Sequence, residues 1–118
     1  MMVPVRINGK EVGCYDLSEL FSKYGNWDGD NYLLREVALT IIERMERELG
    51  VEVEAPMTVH NDASVAEIRE GGKVVWENLK WGESPPLEEV LDTMPEGLRR
   101  RVEAFFEKLA EEGIDLEF

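Results

Sequence analysis

Three oxygen-bearing side chains stand at alternate positions in the segment between two predicted helices. Asn26, Asp28 and Asp30 have the spacing of the first three ligands of an EF-hand loop, whose oxygens converge on one hard cation. The segment departs from that motif because Asn31 occupies the position of the turn glycine and Val37 that of the bidentate glutamate. The pattern indicates a Ca²⁺ or Mg²⁺ site, and the departures favour the alternative of a solvated connector between the helices.

Binding of a divalent cation to this loop is testable with the intact chain. A cation that binds only the folded state raises its stability by RT ln(1 + [L]/Kd), about 2.7 kcal/mol at a hundredfold excess over Kd. Trp27 lies between the proposed ligands, so we expect its fluorescence to change on binding, and we expect Asp30→Asn but not Asp62→Asn to weaken both effects. Thermal denaturation and Trp27 fluorescence are measured with Ca²⁺ or Mg²⁺ and compared with Na⁺ at equal ionic strength. If Na⁺ changes the melting temperature and the fluorescence as much as the divalent cations do, the segment is a solvated connector.

The same segment carries aromatic side chains of the kind that dominate protein interfaces. Tyr24, Trp27 and Tyr32 stand among glycine, asparagine and aspartate residues, and Trp and Tyr side chains contribute much of the free energy of association. They are therefore candidate contacts to a ligand or a partner. The alternative is that Trp27 folds back and covers the core beneath the loop.

A second candidate metal site lies at the end of a predicted strand. Residues 51–60 alternate between apolar and polar side chains, so His60 and Asp62 share one face if the strand continues. Alternate residues on one face lie about 7 Å apart, which allows both side chains to bind one divalent cation that activates water for hydrolysis. Spacing identifies no third ligand, and the alternative is a turn at Asn61 and Asp62.

The single cysteine and the single histidine exclude several classes of site. One cysteine permits neither an intramolecular disulfide nor a multi-cysteine zinc site, and one histidine permits no two-histidine metalloprotease helix. Cys14 falls on the apolar face of a predicted hairpin, which indicates a buried structural thiol rather than a nucleophile. Because Cys14 and His60 are predicted to lie far apart, no nucleophile–base pair is identified, and we predict a non-enzymatic protein.

Acidity is the strongest property of the composition. Twenty-six Asp and Glu residues against thirteen Lys and Arg residues give a net charge of −13. Such a surface is repelled by nucleic-acid phosphates and by anionic lipids, so direct nucleic-acid binding and membrane association are both disfavoured. The same charge suits a basic protein partner. A further alternative is an acidic surface that imitates nucleic acid and occupies a DNA-binding protein.

Periodicity predicts a single α+β domain. Asn8-Gly9 is a typical turn between strands 3–7 and 10–15, and an apolar stripe at helical spacing predicts a helix over 32–49. The other predicted elements are a short helix over 17–24, a strand over 51–60, a hairpin at Gly71-Gly72 with Ile68 near Val75, a helix begun by Ser84-Pro85, a helix begun by a capping box from Thr93 to Glu96, and a strand over 114–118. The order ββαα-βββ-αα-β predicts a largely antiparallel sheet with helices packed on one face.

These features together predict a small, acidic, soluble and cytoplasmic domain that binds or assembles with other proteins. We recognise no signal-peptide segment and no membrane span, and the excess of glutamate over aspartate with no glutamine is typical of thermophile proteins. We predict a homo-oligomer that acts through an acidic and aromatic surface. The alternatives are a small divalent-metal-dependent enzyme that uses carboxylates with His60, and the nucleic-acid mimic.

Overall fold

The computed structural model describes residues 1–22, 31–56, 63–79 and 85–118, with residues 31 and 32 by their backbone alone. Its strands are β1 (Met2–Ile7), β2 (Lys10–Asp16), β3 (Glu52–Glu54), β4 (Glu67–Glu70), β5 (Lys73–Glu77) and β6 (Ile114–Leu116). Its helices are a 3₁₀-helix (Leu17–Phe21), α1 (Asn31–Leu49), α2 (Leu87–Asp92) and α3 (Glu96–Glu112). The predicted α+β class is confirmed, but the described strands form two three-stranded sheets, ordered β2-β1-β6 and β3-β4-β5, rather than one.

The first sheet contains a β-bulge that shifts β2 by one residue beyond Glu11, relative to the register that the turn at Asn8-Gly9 sets. The extra residue is Val12, which lies between the positions that pair with Val5 and Arg6 of β1. Because a slip of one residue moves side chains to the opposite face, Val12 and Cys14 are exposed and Tyr15 is buried instead. The predicted burial of Cys14 is therefore wrong. On the other side of β1, β6 runs parallel to it.

The second sheet also contains a bulge, in β5. Ile68 pairs with Trp76 and Arg69 pairs with Val74, which leaves Val75 as the extra residue. The predicted pairing of Ile68 with Val75 is therefore wrong by one position. As a result, Trp76 is buried in the core and Val74 is 49% exposed.

The predicted strand over 51–60 is confirmed over the three residues of β3. Around it the predicted alternation holds, because Val51 is buried while Glu52 and Glu54 are exposed. Residues 57–60 lie outside the described residues. The exposed face of β3 is therefore an acidic one.

Helix α1 connects the two sheets. It packs against β6 of the first sheet, against β3 of the second and against α3. The predicted apolar stripe is buried or half-buried along its length, at Leu34, Val37, Ala38, Ile41, Ile42, Met45 and Leu49. The predicted helix over 32–49 is confirmed, and the burial of its stripe stabilises the fold at about 25 cal/mol per Å² of apolar area.

The predicted helix over 17–24 is a 3₁₀-helix at Leu17–Phe21 within the described residues. Asp16 caps this helix, because its side chain accepts a hydrogen bond from the backbone N–H of Ser18 at 3.1 Å. The apolar side chains of Leu17, Leu20 and Phe21 are buried. The aromatic ring of Phe21 in this short helix therefore packs in the core.

The last two helices begin after prolines rather than at the predicted caps. Pro86 has extended backbone and precedes α2, and a proline disfavours helical conformation in the residue before it. Pro85 is therefore not the first helical residue as predicted, and Ser84 lies outside the described residues. Pro95 precedes α3 and provides no side-chain cap, so the predicted capping box begun by Thr93 is wrong.

Candidate functional site

A groove runs between β5 and the corner where α2 meets α3. Two adjoining cavities of about 390 and 530 Å³ form it, and both are lined by Val75 and Pro95. Leu79 and Val90 line the first cavity, and Leu98 lines the second. Cavities of this size accommodate a small ligand or the side chains of a bound segment.

The floor of the groove is fixed by two consecutive hydrogen bonds. The indole N–H of Trp76 donates to Thr93 Oγ1 at 2.9 Å, and the Thr93 hydroxyl donates to the carbonyl of Val90 at 2.6 Å. The indole ring also packs edge-on against Phe21, with ring centroids 5.6 Å apart. Thr93 therefore holds the C-terminal end of α2 against β5 instead of capping α3.

Asn78 fixes the chain at the end of β5. Its buried side-chain amide donates to the carbonyls of Phe21 at 2.8 Å and Val65 at 3.1 Å. Its backbone N–H donates to the carbonyl of Ala66 at 2.8 Å. The next residue, Leu79, is held at the rim of the groove with 88% of its area exposed, and it extends the apolar surface of the groove outwards.

A row of carboxylates crosses the outer face of the second sheet. Glu54 of β3 pairs with Glu67 of β4, and Glu67 pairs with Glu77 of β5. The Cα atoms of directly opposite residues lie about 5 Å apart, and like charges in such positions destabilise a sheet. Glu77 also lines the groove, so the row ends at the groove's rim.

Arg69 offsets part of this negative charge. Its Nε donates to the Glu67 carboxylate at 2.8 Å. That hydrogen bond, together with the charges of Glu67, Glu54 and Glu52, raises the pKa of the Arg69 guanidinium. Because three carboxylates of this sheet face act on one guanidinium, the face retains a negative field that favours a further cationic group.

The strand beside the groove is an edge strand. Among the described residues, β5 pairs with β4 on one side and with no strand on the other. An edge strand directs alternate N–H and C=O groups away from its sheet, where they can pair with another chain. Val75 and Trp76 of β5 line the groove, so the groove follows this edge.

Apart from the backbone of Tyr32, the site residues that the sequence predicts lie outside the described part of the chain. Those outside it are the loop ligands Asn26, Asp28 and Asp30, the aromatic residues Tyr24 and Trp27, and the pair His60 and Asp62. Tyr32 lies in α1, where the structure describes its backbone alone. The Ca²⁺ or Mg²⁺ site, the aromatic partner contacts and the His60 site therefore stay predictions.

No pattern in the sequence predicts the groove as a whole, although two local signals mark its edges. The adjacent valines Val74 and Val75 interrupt the alternation of β5, which is typical of a bulge. Leu79 is an apolar residue in the polar segment that follows the strand. The position of Pro95 beside β5 depends on tertiary packing, which no local pattern predicts.

Neither a metal cluster nor a membrane span is found in the described residues. There, no three His, Cys, Asp or Glu side chains lie close enough together to hold a metal ion. No helix in the same part of the chain is long and apolar enough to cross a bilayer. Comparison of the chain with known protein families, with curated proteins and with solved structures found no match.

Proposed function

We propose that the protein is a non-enzymatic binding module that recognises a basic segment of another protein in the groove beside β5. The observation that carries the proposal is an apolar groove whose rim coincides with the end of a row of carboxylates. Val75, Leu79 and Pro95 supply apolar contacts, and Glu77 supplies charge at the rim. This proposal keeps the basic protein partner that the sequence predicts and assigns the groove as its binding site.

The apolar surface of the groove gains free energy when a partner covers it. Leu79 exposes 88% of its area, and full burial of a leucine side chain contributes about 1.5–3 kcal/mol. Protein interfaces obtain most of their affinity from a few such anchors, which a polar rim surrounds. The groove has this composition, because Leu79 lies near Val75 and Pro95 while Glu77 lies at the rim.

The charge of the site favours a basic partner. The net charge of −13 attracts cations over a distance, and the row that ends at Glu77 positions a cationic side chain locally. Complementary charge raises the association rate and rejects acidic competitors more than it raises affinity. We therefore expect binding that weakens as salt screens the charges.

Leu79→Asp tests the groove as the binding site. The probe is an acetylated and amidated heptapeptide in which Lys and Val alternate. We expect the wild-type protein to bind this peptide and Leu79→Asp to lower the affinity at least about tenfold, which corresponds to 1.4 kcal/mol. Because the Leu79 side chain is exposed, we expect the variant to fold normally. Isothermal titration calorimetry at physiological salt measures both affinities.

The direction of the change in peptide affinity distinguishes binding in the groove from general attraction between lysines and an acidic protein. Leu79→Asp adds a negative charge, so general attraction would increase the affinity. Phe118→Asp adds the same charge at another exposed apolar residue and serves as the matched control, with an affinity equal to that of the wild type or slightly higher. A heptapeptide of alternating Glu and Val is not expected to bind. Equal affinities of the wild-type protein and Leu79→Asp, or no binding by the wild type, reject the proposal.

Three other possibilities stay predictions: the homo-oligomer, the metal-dependent enzyme that uses His60, and the nucleic-acid mimic. The row of Glu54, Glu67 and Glu77 contributes three carboxylates to one line, fewer than the roughly 6–10 phosphates contacted by a protein whose DNA affinity depends steeply on salt. An imitation of phosphates also needs no apolar groove. The groove beside Glu77 therefore favours binding of a basic protein segment over the mimic.

A further inference from the structure

We infer that the partner segment binds as an added strand on the outer edge of β5. This inference rests on the proposed function and adds the binding mode and the sequence pattern of the partner. Three features meet at this edge: a strand edge that no other described strand pairs with, an apolar groove on one side of the sheet and a negative face on the other. An extended segment is the occupant that contacts all three, and strand addition is a common mode of peptide recognition.

Strand β5 is the better of the two edges of its sheet for accepting a strand. It has five residues and no proline, whereas the opposite edge β3 has three residues and is followed by Pro56. Short edges and prolines are devices that prevent strand addition. A bulge is another such device, but the bulge at Val75 directs that side chain into the groove.

The two faces of an added strand would contact different surfaces. Alternate side chains of a strand point to opposite faces, and the new strand would lie about 4.8 Å from β5. One set of side chains would lie beside Glu77, where Lys or Arg supplies a counter-charge to the row of Glu54 and Glu67. The other set would enter the groove at Val75 and Pro95, where apolar side chains fit. The partner segment therefore has basic and apolar residues in alternation.

A second copy of this chain is a poorer occupant than a basic segment. Each copy carries a net charge of −13, which opposes the approach of a second copy. Like charges across an interface oppose association. A basic segment of another protein is instead attracted by this net charge and by the carboxylate row that ends at Glu77.

Backbone N-methylation of the alternating Lys–Val heptapeptide tests strand addition. In an extended peptide, the N–H groups of the lysines point to one edge and those of the valines point to the other. Because a strand added to β5 uses only one of its edges, we expect methylation of one set to lower the affinity at least about tenfold and methylation of the other set to change it less than about threefold. Calorimetry with the wild-type protein measures these affinities, and light scattering without peptide gives its oligomeric state.

The outcomes distinguish this inference from the proposed function. If the unmodified peptide binds and Leu79→Asp weakens it, equal affinities of the two methylated peptides overturn strand addition and leave the groove as the site. If the unmodified peptide does not bind, the proposed function fails. If the protein alone is a dimer that Leu79→Asp dissociates, the occupant is a second copy, and a basic segment as partner is overturned.

Discussion

Gly113→Ala is expected to lower the free energy of unfolding by about 3 kcal/mol, the scale of a strained backbone combined with a close contact. Gly113 has φ 77° and ψ 179°, a conformation that is essentially restricted to glycine. A Cβ at this position would lie 2.9 Å from the carbonyl oxygen of Pro4 and 2.8 Å from Nη2 of Arg6. Chemical denaturation followed by circular dichroism measures the loss.

Arg6 limits how far the backbone can move to accommodate that Cβ. Its guanidinium donates to the Asp115 carboxylate at 2.6 Å and to the carbonyl of Glu112, and the hydrogen bond to Asp115 lowers the pKa of that carboxyl. Gly113 lies between these two acceptors in the sequence. A shift that makes room for a methyl group therefore disrupts the contacts that join β1 to the end of α3 and to β6.

Gly50→Ala is the matched control for this prediction. Gly50 also has a positive φ, of 67°, but an added Cβ would meet no atom within 4 Å. This variant therefore carries the cost of the left-handed conformation alone, about 1–2 kcal/mol. If Gly113→Ala costs no more than Gly50→Ala, the contact with Pro4 is not a constraint, and the prediction is wrong.

Helix α1 illustrates what periodicity predicts well. The apolar stripe recurs along the whole helix, so the sequence predicts both the element and its buried face. The predicted bounds of 32–49 differ from Asn31–Leu49 by one residue. The α+β class is predictable for the same reason, since long periodic segments determine which elements exist even where their packing is unknown.

The two hairpins illustrate what periodicity does not predict. In each of them a bulge inserts one residue into the second strand, at Val12 and at Val75. The turn residues of a hairpin do not show where such a residue is inserted, yet its position decides which face of the strand is buried. Gly13 is the available signal in the first hairpin, because a glycine inside a strand often marks a bulge.

The candidate site depends on a competition between local and tertiary hydrogen bonds. Local pattern predicts that Thr93 caps α3, a contribution of about 1 kcal/mol. The structure instead pairs Thr93 with the indole N–H of Trp76, 17 residues away. An unpaired donor in the core would cost about 1–3 kcal/mol, so the tertiary bond is the larger effect. No sequence pattern links Trp76 to Thr93, and the groove above them is therefore not predictable.

Ile41→Asp is expected to lower the free energy of unfolding by at least about 4 kcal/mol, because it combines lost apolar burial with an unpaired carboxyl. Ile41 is 0% exposed and lies in α1, the helix that packs against both sheets. Small domains are stable by only about 5–15 kcal/mol, so the variant approaches unfolding at room temperature. Urea denaturation measures the loss, and Glu43→Asp, at an exposed site of the same helix, controls for the helix propensity of aspartate.

The pH dependence of Ile41→Asp separates the buried charge from the lost volume. Burial disfavours the ionised carboxylate and raises its pKa in the folded state above the unfolded value of about 3.9. A raised carboxyl pKa means that stability falls as pH rises from the unfolded value through the folded one. Ile41→Asn has a similar size and does not titrate, so we expect the two variants to converge near pH 4 and Ile41→Asp to be the less stable near pH 8. Equal stabilities of the two variants at both pH values would place residue 41 in contact with water and contradict its position in the core.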